Sequence, residues 1–417
     1  MANRYQFIQS HRGAFRQSEK GARGIARPWI WSLNRNGITL VNPDGTFHNE
    51  LVRRSYNNLA GLAVRPDRVA ITTLIDGARW GCYLLPHFRH GYSGSTWSYV
   101  VTEDYSAGAP EALAFDSNND VIQAGWFSYA SGDANQYDVI KLDGTDGTLI
   151  WKKALHDPPG LLVKTMDVAV DDSDNIYLVG GPDDDDNCLW KLNSAGETQW
   201  SFAPEMVNPA APFPLDSIRG VRVVMCSDGS VVFFMSHNAG AGNDSVNSLV
   251  YKVSSSGDEE WRAATSVGQG YYNTHSSLGL PSSPHDATID SMGNIYYTSE
   301  EHTVTSETAT APFDSTDETD HSADSHTGRL TCMSEATGEV VWAVDQVGDD
   351  SIAFSGVAYD SRRKKLWVVN YGGAISDKYS LQSRDIDDGS LIDSNIMGLG
   401  FFWTYNRHGR LVVEGAG

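Results

Sequence analysis

The chain has 417 residues, a formal charge of −22, 40% hydrophobic residues, 40 glycines and 12 tryptophans. Such an acidic balance excludes general nucleic-acid binding, because phosphate contacts need Lys and Arg, and no apolar run approaches the length of a membrane span. Gly, Trp and abundant Ser, Thr, Asn and Asp favour strands and tight turns over long helices.

Residues 1–28 form a basic arm. Arg4, Arg12, Arg16, Lys20, Arg23 and Arg27 stand there against Glu19 alone. On an acidic body such an arm is a candidate for docking a partner's acidic surface or a neighbour in an oligomer, with Arg12, Arg16, Lys20 and Arg23 as its contact residues. The start, MANRYQFIQSHRGAF, lacks the apolar core of a secretory signal. Cys82, Cys188, Cys226 and Cys332 have no CxxC spacing and read as reduced, mostly buried thiols. A protein made and assembled inside a cell is expected.

From residue 29 onward one pattern recurs. Its clearest copy is DVAVDDSDNIYLVGG, Asp167 to Gly181, in which period-two apolar residues meet a polar turn and then resume. CLWKLNSAGETQW, Cys188 to Trp200, follows as a second hairpin. In chain order the first-hairpin pattern opens at Gly61, Ala112, Asp167, Gly220, Asp286, Gly356 and Gly400. The second-hairpin pattern occupies Trp29–Val41, Trp80–Tyr99, Tyr137–Trp151, Cys188–Trp200, Ser248–Trp261, Arg329–Trp342 and Lys378–Asp393. Copies of four strands at a regular period indicate an all-β, seven-bladed β-propeller of four-stranded antiparallel blades. The chain begins with an unmatched second hairpin and ends with an unmatched first hairpin, Gly400–Glu414. The N- and C-terminal strands are therefore expected to pair and close the ring, removing an exposed edge.

The second hairpins carry Gly-x-x-x-Trp four times, as Gly147/Trp151, Gly196/Trp200, Gly257/Trp261 and Gly338/Trp342. VIKLDGTDGTLIWKKAL and LTCMSEATGEVVWAV resemble the repeat of the quinoprotein (PQQ-like) propellers, over a stretch from about Asp138 to Val344. The resemblance implies that each Gly makes a hairpin turn and each Trp docks between adjacent blades. Three units depart from it: Gly94 to Trp97 is short, Gly389 leads to Asp393, and Gly37 leads to Val41. Quinoprotein dehydrogenases usually have eight blades, a secretion signal, a calcium site and often a ring of neighbouring cysteines. Seven units, no signal and no adjacent Cys pair argue against that enzymatic chemistry here, and no cofactor is expected.

The acidic turns (Asp116–Asp120, Asp171–Asp174, Asp290–Asn294) read as Asx turns capping their own backbone, which explains every copy at once. Calcium is left open at the dense run Asp183–Asp186. Two insertions break the rhythm, 266–284 with Tyr271, Tyr272 and His275, and 300–328 with eight acids and no Lys or Arg. Long loops on a rigid ring are where binding is placed. His302, His321 and His326, with carboxylates nearby, are candidates to hold a metal, but their spacing matches no strong motif, and no metal is expected. His87, Arg89 and Tyr92 form a further candidate contact loop that could stack on a sugar or a partner side chain.

No GxSxG, HExxH, P-loop or dinucleotide fingerprint is present. A polysaccharide hydrolase or lyase is the main enzymatic rival, with His156, His237, His275 and His285 the first residues to test. A PQQ-type dehydrogenase and a cytoplasmic scaffold also compete with it. Acidic, Trp-dotted propellers with irregular insertions and a basic arm resemble PQQ-like repeat proteins of tailed-bacteriophage virions. That resemblance implies a non-enzymatic tail, nozzle or fibre-associated part, assembled in the host cytoplasm. Its partners would be other virion proteins or an oligomeric neighbour, and a glycan or protein of the host surface.

Overall fold

The computed structural model describes residues 30–34, 37–41, 47–52, 57–65, 67–75, 79–86, 96–100, 105–129, 138–155, 165–181, 187–204, 218–237, 249–264, 286–303, 325–346, 353–371, 379–397 and 410–413. Among them are 28 strands and no helix. The fold is all-β, built of four-stranded antiparallel sheets, and is β-propeller-like.

In chain order the strands are β1 (Ile30–Asn34), β2 (Gly37–Val41) and β3 (Phe47–Val52), which wait for a fourth partner. Sheet 2 follows as β4 (Asn57–Arg65), β5 (Arg68–Ile75), β6 (Arg79–Pro86) and β7 (Trp97–Val100). Sheet 3 is β8 (Tyr105–Phe115), β9 (Val121–Tyr129), β10 (Val139–Leu142) and β11 (Leu149–Lys153). Sheet 4 is β12 (Thr165–Val170), β13 (Ile176–Gly180), β14 (Leu189–Leu192) and β15 (Thr198–Phe202). Sheet 5 is β16 (Ile218–Met225), β17 (Val231–His237), β18 (Leu249–Val253) and β19 (Glu259–Ala264). Sheet 6 is β20 (Asp286–Ile289), β21 (Asn294–Thr303), β22 (Ser325–Ser334) and β23 (Val340–Gln346). Sheet 7 is β24 (Ala353–Asp360), β25 (Lys365–Tyr371), β26 (Tyr379–Asp385) and β27 (Leu391–Met397). The last strand, β28 (Arg410–Val413), returns to β1 and completes sheet 1 in the order β28-β1-β2-β3.

First strands of successive sheets are neighbours: β4 of β8, β8 of β12, β12 of β16, β16 of β20, β20 of β24, β24 of β28, and β28 of β4. The core lies between sheets rather than under them. Tyr177, Val179 and Leu189 of sheet 4 share one cluster with Val231, Phe233 and Tyr251 of sheet 5. Sheet 6 meets sheet 7 through Tyr296, Leu330, Phe354 and Val368. Because a sheet so placed is covered on both faces, its middle strands lose the alternation of a half-buried strand. Val231 to Met235 are all buried, as are Ile176 to Gly180.

The shared sheet departs from expectation in one respect. It takes three strands from the N-terminal side and one from the C-terminal side, not a hairpin from each. Trp29–Val41 supplies the second and third positions, and the outer turn expected at Gly37 lies elsewhere. In the β2–β3 pairing Leu40 faces Asn49 and Val41 faces Phe47, so the outer hairpin turns between residues 41 and 47, and 42–46 lie outside the described residues. Residues 398–409, part of the expected terminal hairpin, lie outside the described residues.

Candidate functional site: tryptophan–glycine junctions and a caged lysine

The repeated contact between sheets starts in the outer hairpin. Its turn ends on a glycine with positive φ: 77° at Gly147, 83° at Gly196, 98° at Gly257, 71° at Gly338 and 73° at Gly389. Only Gly takes that conformation without a steric cost. On four of these outer strands a β-bulge follows, immediately before the Trp. Lys191 faces Trp200 while Leu192 faces Thr198, and the same skip occurs at Lys141, Lys252 and Cys332. A bulge of this kind re-aims the next side chain.

The Trp then lies over the glycine turn of the following sheet. A Cβ added to Gly147 would stand 2.6 Å from Trp97, one on Gly196 3.0 Å from Trp151, and one on Gly257 3.0 Å from Trp200. The corresponding separations are 2.7 Å for Gly338 on Trp261 and 2.6 Å for Gly389 on Trp342. Each indole Nε1 also donates to a carbonyl of the same turn. Trp97 reaches Gly144 at 3.2 Å, Trp151 Ser194 at 3.2 Å, Trp200 Ser255 at 3.1 Å, Trp261 Glu335 at 2.8 Å and Trp342 Ile386 at 3.1 Å. Five successive interfaces, from sheet 2 to sheet 7, thus carry one stacking contact and one hydrogen bond of the same design. Trp97 and Gly389 belong to units that depart from the repeat in sequence, yet each supplies its half of a junction. On sheet 7 the residue in the Trp register is Asp393, opposite Ser383, and on sheet 1 it is Asn49.

The inner turns hold the acidic residues. Asp116 Oδ1 accepts from the amides of Asn118 and Asp120, Asp171 from Ser173 and Asn175, and Asp290 from Met292 and Asn294. These are Asx turns, which bond their own backbone. The second carboxylate oxygen meets a neighbouring polar group: Tyr177 OH at 3.3 Å for Asp171 and Tyr296 OH at 2.9 Å for Asp290. At Asp116 that role falls to Lys141, 2.6 Å away. Burial works against the Lys141 ammonium, but Asp116 and Asp120 outweigh it and hold its pKa above the ordinary range.

One set of metal-type donors comes together among the described residues, Cys226, Asp228 and Glu335. Its two acids are already bound to Lys252, whose Nζ lies 2.9 Å from Asp228 and 3.2 Å from Glu335, with Glu260 at 3.1 Å. Burial lowers the ammonium's pKa, and the hydrogen bonds of these acids more than reverse the effect. Burial also pushes the Cys226 thiol up to about 12, far from the thiolate a metal requires. The cluster is an ion cage for the protein's own lysine.

The structure brings the eight repeat residues together in chain-crossing pairs: Trp151 with Gly196, Trp200 with Gly257, Trp261 with Gly338, Gly147 with Trp97, and Trp342 with Gly389. The contact candidates Arg12, Arg16, Lys20, Arg23, His87, Arg89, Tyr92, Tyr271, Tyr272 and His275 lie outside the described residues, as do His156, His285, His321 and Asp183–Asp186. His237 ends β17. The insertion 300–328 begins and ends inside the β21–β22 hairpin, where Glu300 pairs with Gly328 and His302 with His326. Sequence reasoning missed Lys141 and Lys252. Both stand opposite a Trp in the register, a signal that appears only once the hairpins are aligned.

No family model matches the chain, and no curated protein matches it. Among solved structures it is similar to the computationally designed Ika8 protein, with a TM-score of 0.46 and 11% identity over 89% of this chain and 87% of that one. It is also similar to the quinohemoprotein alcohol dehydrogenase ADHIIG from Pseudomonas putida HK5, with a TM-score of 0.49 and 10% identity over 84% of this chain and 62% of that one.

Proposed function

We propose that the seven sheets are the blades of one closed propeller, with β28 on β1 as its seam, and that the ring is a non-enzymatic structural and binding body. The observation that carries this reading is the run of five Trp-on-Gly junctions. It fixes sheets 2 to 7 each to the next through outer hairpins, while Lys141 and Lys252 are engaged with the carboxylates around them. A body so braced is suited to presenting its connections and its basic arm to neighbours. Within that reading the protein is a component of a tailed-bacteriophage particle, docking neighbouring subunits or the host surface. Its sequence resemblance to PQQ-like virion proteins supports this narrower statement, and fold alone does not decide function.

Mass spectrometry of purified particles produced by a host carrying this gene tests the proposal. Peptides of this chain at a fixed ratio to the major tail proteins are expected. Particles lacking the chain would overturn the virion role and leave the ring as a binding body of some other assembly.

A further inference from the structure

Five of the seven large apolar side chains that stand exposed among the described residues lie in one sector. Val340 and Val341 follow the outer turn of sheet 6, Leu391 and Ile392 follow that of sheet 7, and Met292 sits in the inner turn of sheet 6; all are more than half exposed. The two rims are joined, because Trp342, next after Val341, packs on Gly389, two before Leu391. At the same positions sheets 4 and 5 carry Thr198, Gln199, Glu259 and Glu260. Single apolar residues at a surface need no cause, but a run of them across two neighbouring sheets marks a contact surface.

Charge in this sector is ordered as well. Residues 362–365, Arg-Arg-Lys-Lys, are the longest basic run of the sequence and form the inner turn of sheet 7. Arg363 is held by the buried Asp360, while Arg362 and Lys364 are exposed. The outer turns are acidic, with Glu339 exposed on sheet 6 and Asp387 and Asp388 on sheet 7. Inner and outer turns lie at the same end of each sheet: the Glu335 amide donates to the Gly293 carbonyl at 2.8 Å on sheet 6, and Lys365 stands opposite Asp385 on sheet 7. This end of the sector therefore carries a basic inner row and an acidic outer row, with apolar side chains in both.

A patch of that kind complements itself. In a two-fold contact each copy presents the same surface turned half round, so the inner row of one lies over the outer row of the other. Arg362 and Lys364 then meet Glu339 and Asp387 of a second copy, and the reverse, with Met292 set toward the aliphatic pairs. Sheets 3 to 5 offer no equivalent. Their inner turns hold Asp120, Asp172 and Asp228 and their outer turns Asp146, Glu197 and Asp258, so acid would meet acid, which opposes association. We infer that this end of sheets 6 and 7 is the surface through which two copies of the chain pair as an isologous dimer. The inference does not rest on the virion role.

Charge reversal tests it, read by sedimentation velocity on the full chain up to about 100 μM, where even a small interface is populated. The wild type is expected to dimerise. R362E/K364E and E339K/D387K should each weaken the dimer at least about tenfold when alone. Mixing the two in equal amounts should restore it, because both rows of the mixed pair are again opposite in sign. L391S/I392S should also weaken it about tenfold or more. K364E loses the Tyr359 contact, so the melting of each variant is measured alongside, and a misfolded chain would not recover on mixing. A wild type that stays monomeric throughout, a dimer that both charge variants keep, or folded variants that stay monomeric when mixed would overturn the inference.

Discussion

Trp200 lies across Gly257 of the next sheet, with its Nε1 3.1 Å from the Ser255 carbonyl and its Cδ2 3.0 Å from where a Cβ on Gly257 would stand. The glycine is needed twice, for φ and for the close approach of the ring. Gly229 separates the two demands: its φ is 83°, but nothing lies within 4 Å of its would-be Cβ.

Gly257→Ala is therefore expected to cost more than Gly229→Ala. The second change carries only the left-handed penalty of about 1–2 kcal/mol, while the first adds displacement of a packed indole, for a total of about 2–4 kcal/mol. Urea denaturation midpoints of the two variants measure the difference. Equal losses would mean that the indole contact contributes nothing.

Lys252→Met removes the one cation shared by Asp228, Glu260 and Glu335. Of the three only Glu335 is buried, and leaving it without its cation is expected to cost about 1–3 kcal/mol near neutral pH, read from the same denaturation midpoints. The acid limb gives a second readout. Burial raises the Asp228 pKa, but hydrogen bonds from Ser230 and Lys252 dominate and leave it at about 2. A lowered carboxylate pKa stabilises the fold above the ordinary carboxylate range, and that contribution is lost as pH falls through about 2. Without Lys252 the loss should begin at higher pH. An acid transition that does not move in Lys252→Met would contradict the cage.

Lys364 takes φ 54° at the inner turn of sheet 7, where sheets 5 and 6 have Gly229 and Gly293. Its Nζ donates to Tyr359 OH at 3.1 Å. Lys364→Gly relieves the backbone and loses that contact. A net gain of up to about 1 kcal/mol is expected, because one part-buried hydrogen bond is worth less than the αL penalty. A lower denaturation midpoint would show the Tyr359 contact to be the stronger of the two.

Removing residues 410–417 takes β28 from sheet 1 and leaves the inner edge of β1 unpaired. Uncovered edges recruit other strands, so the shortened chain is expected to self-associate, as measured by light scattering on size exclusion. A monomer with an undiminished melting transition would show that β28 does not hold the sheet together.

Much of this architecture was legible in the sequence because each unit repeats the same two signals, period-two apolar residues and an Asx- or Gly-bearing turn. The unmatched hairpins at the two ends were enough to expect that they pair. Their division was not legible, because the sequence offers a turn glycine at both Gly37 and Gly45, and only the pairing of Asn34 with Gly37 shows that Gly37 belongs to the β1–β2 hairpin. Lys141 and Lys252 look like outward residues on alternating strands; coverage of both sheet faces buries them, and that is a property of the neighbours. The Trp partners could not be assigned either, because each junction joins residues 45 to 77 positions apart.

The pairing of Ile30 with Val413 imposes an order on biosynthesis. Strands β1 to β3 leave the ribosome first and cannot complete their sheet until almost the whole chain has followed, about 20 to 80 s later at roughly 5–20 residues per second. Sheets 2 to 7 have no such wait, since each is contiguous and can form as it emerges. The nascent polypeptide therefore carries an unfinished edge throughout translation, and that edge is the place where a chaperone would be needed.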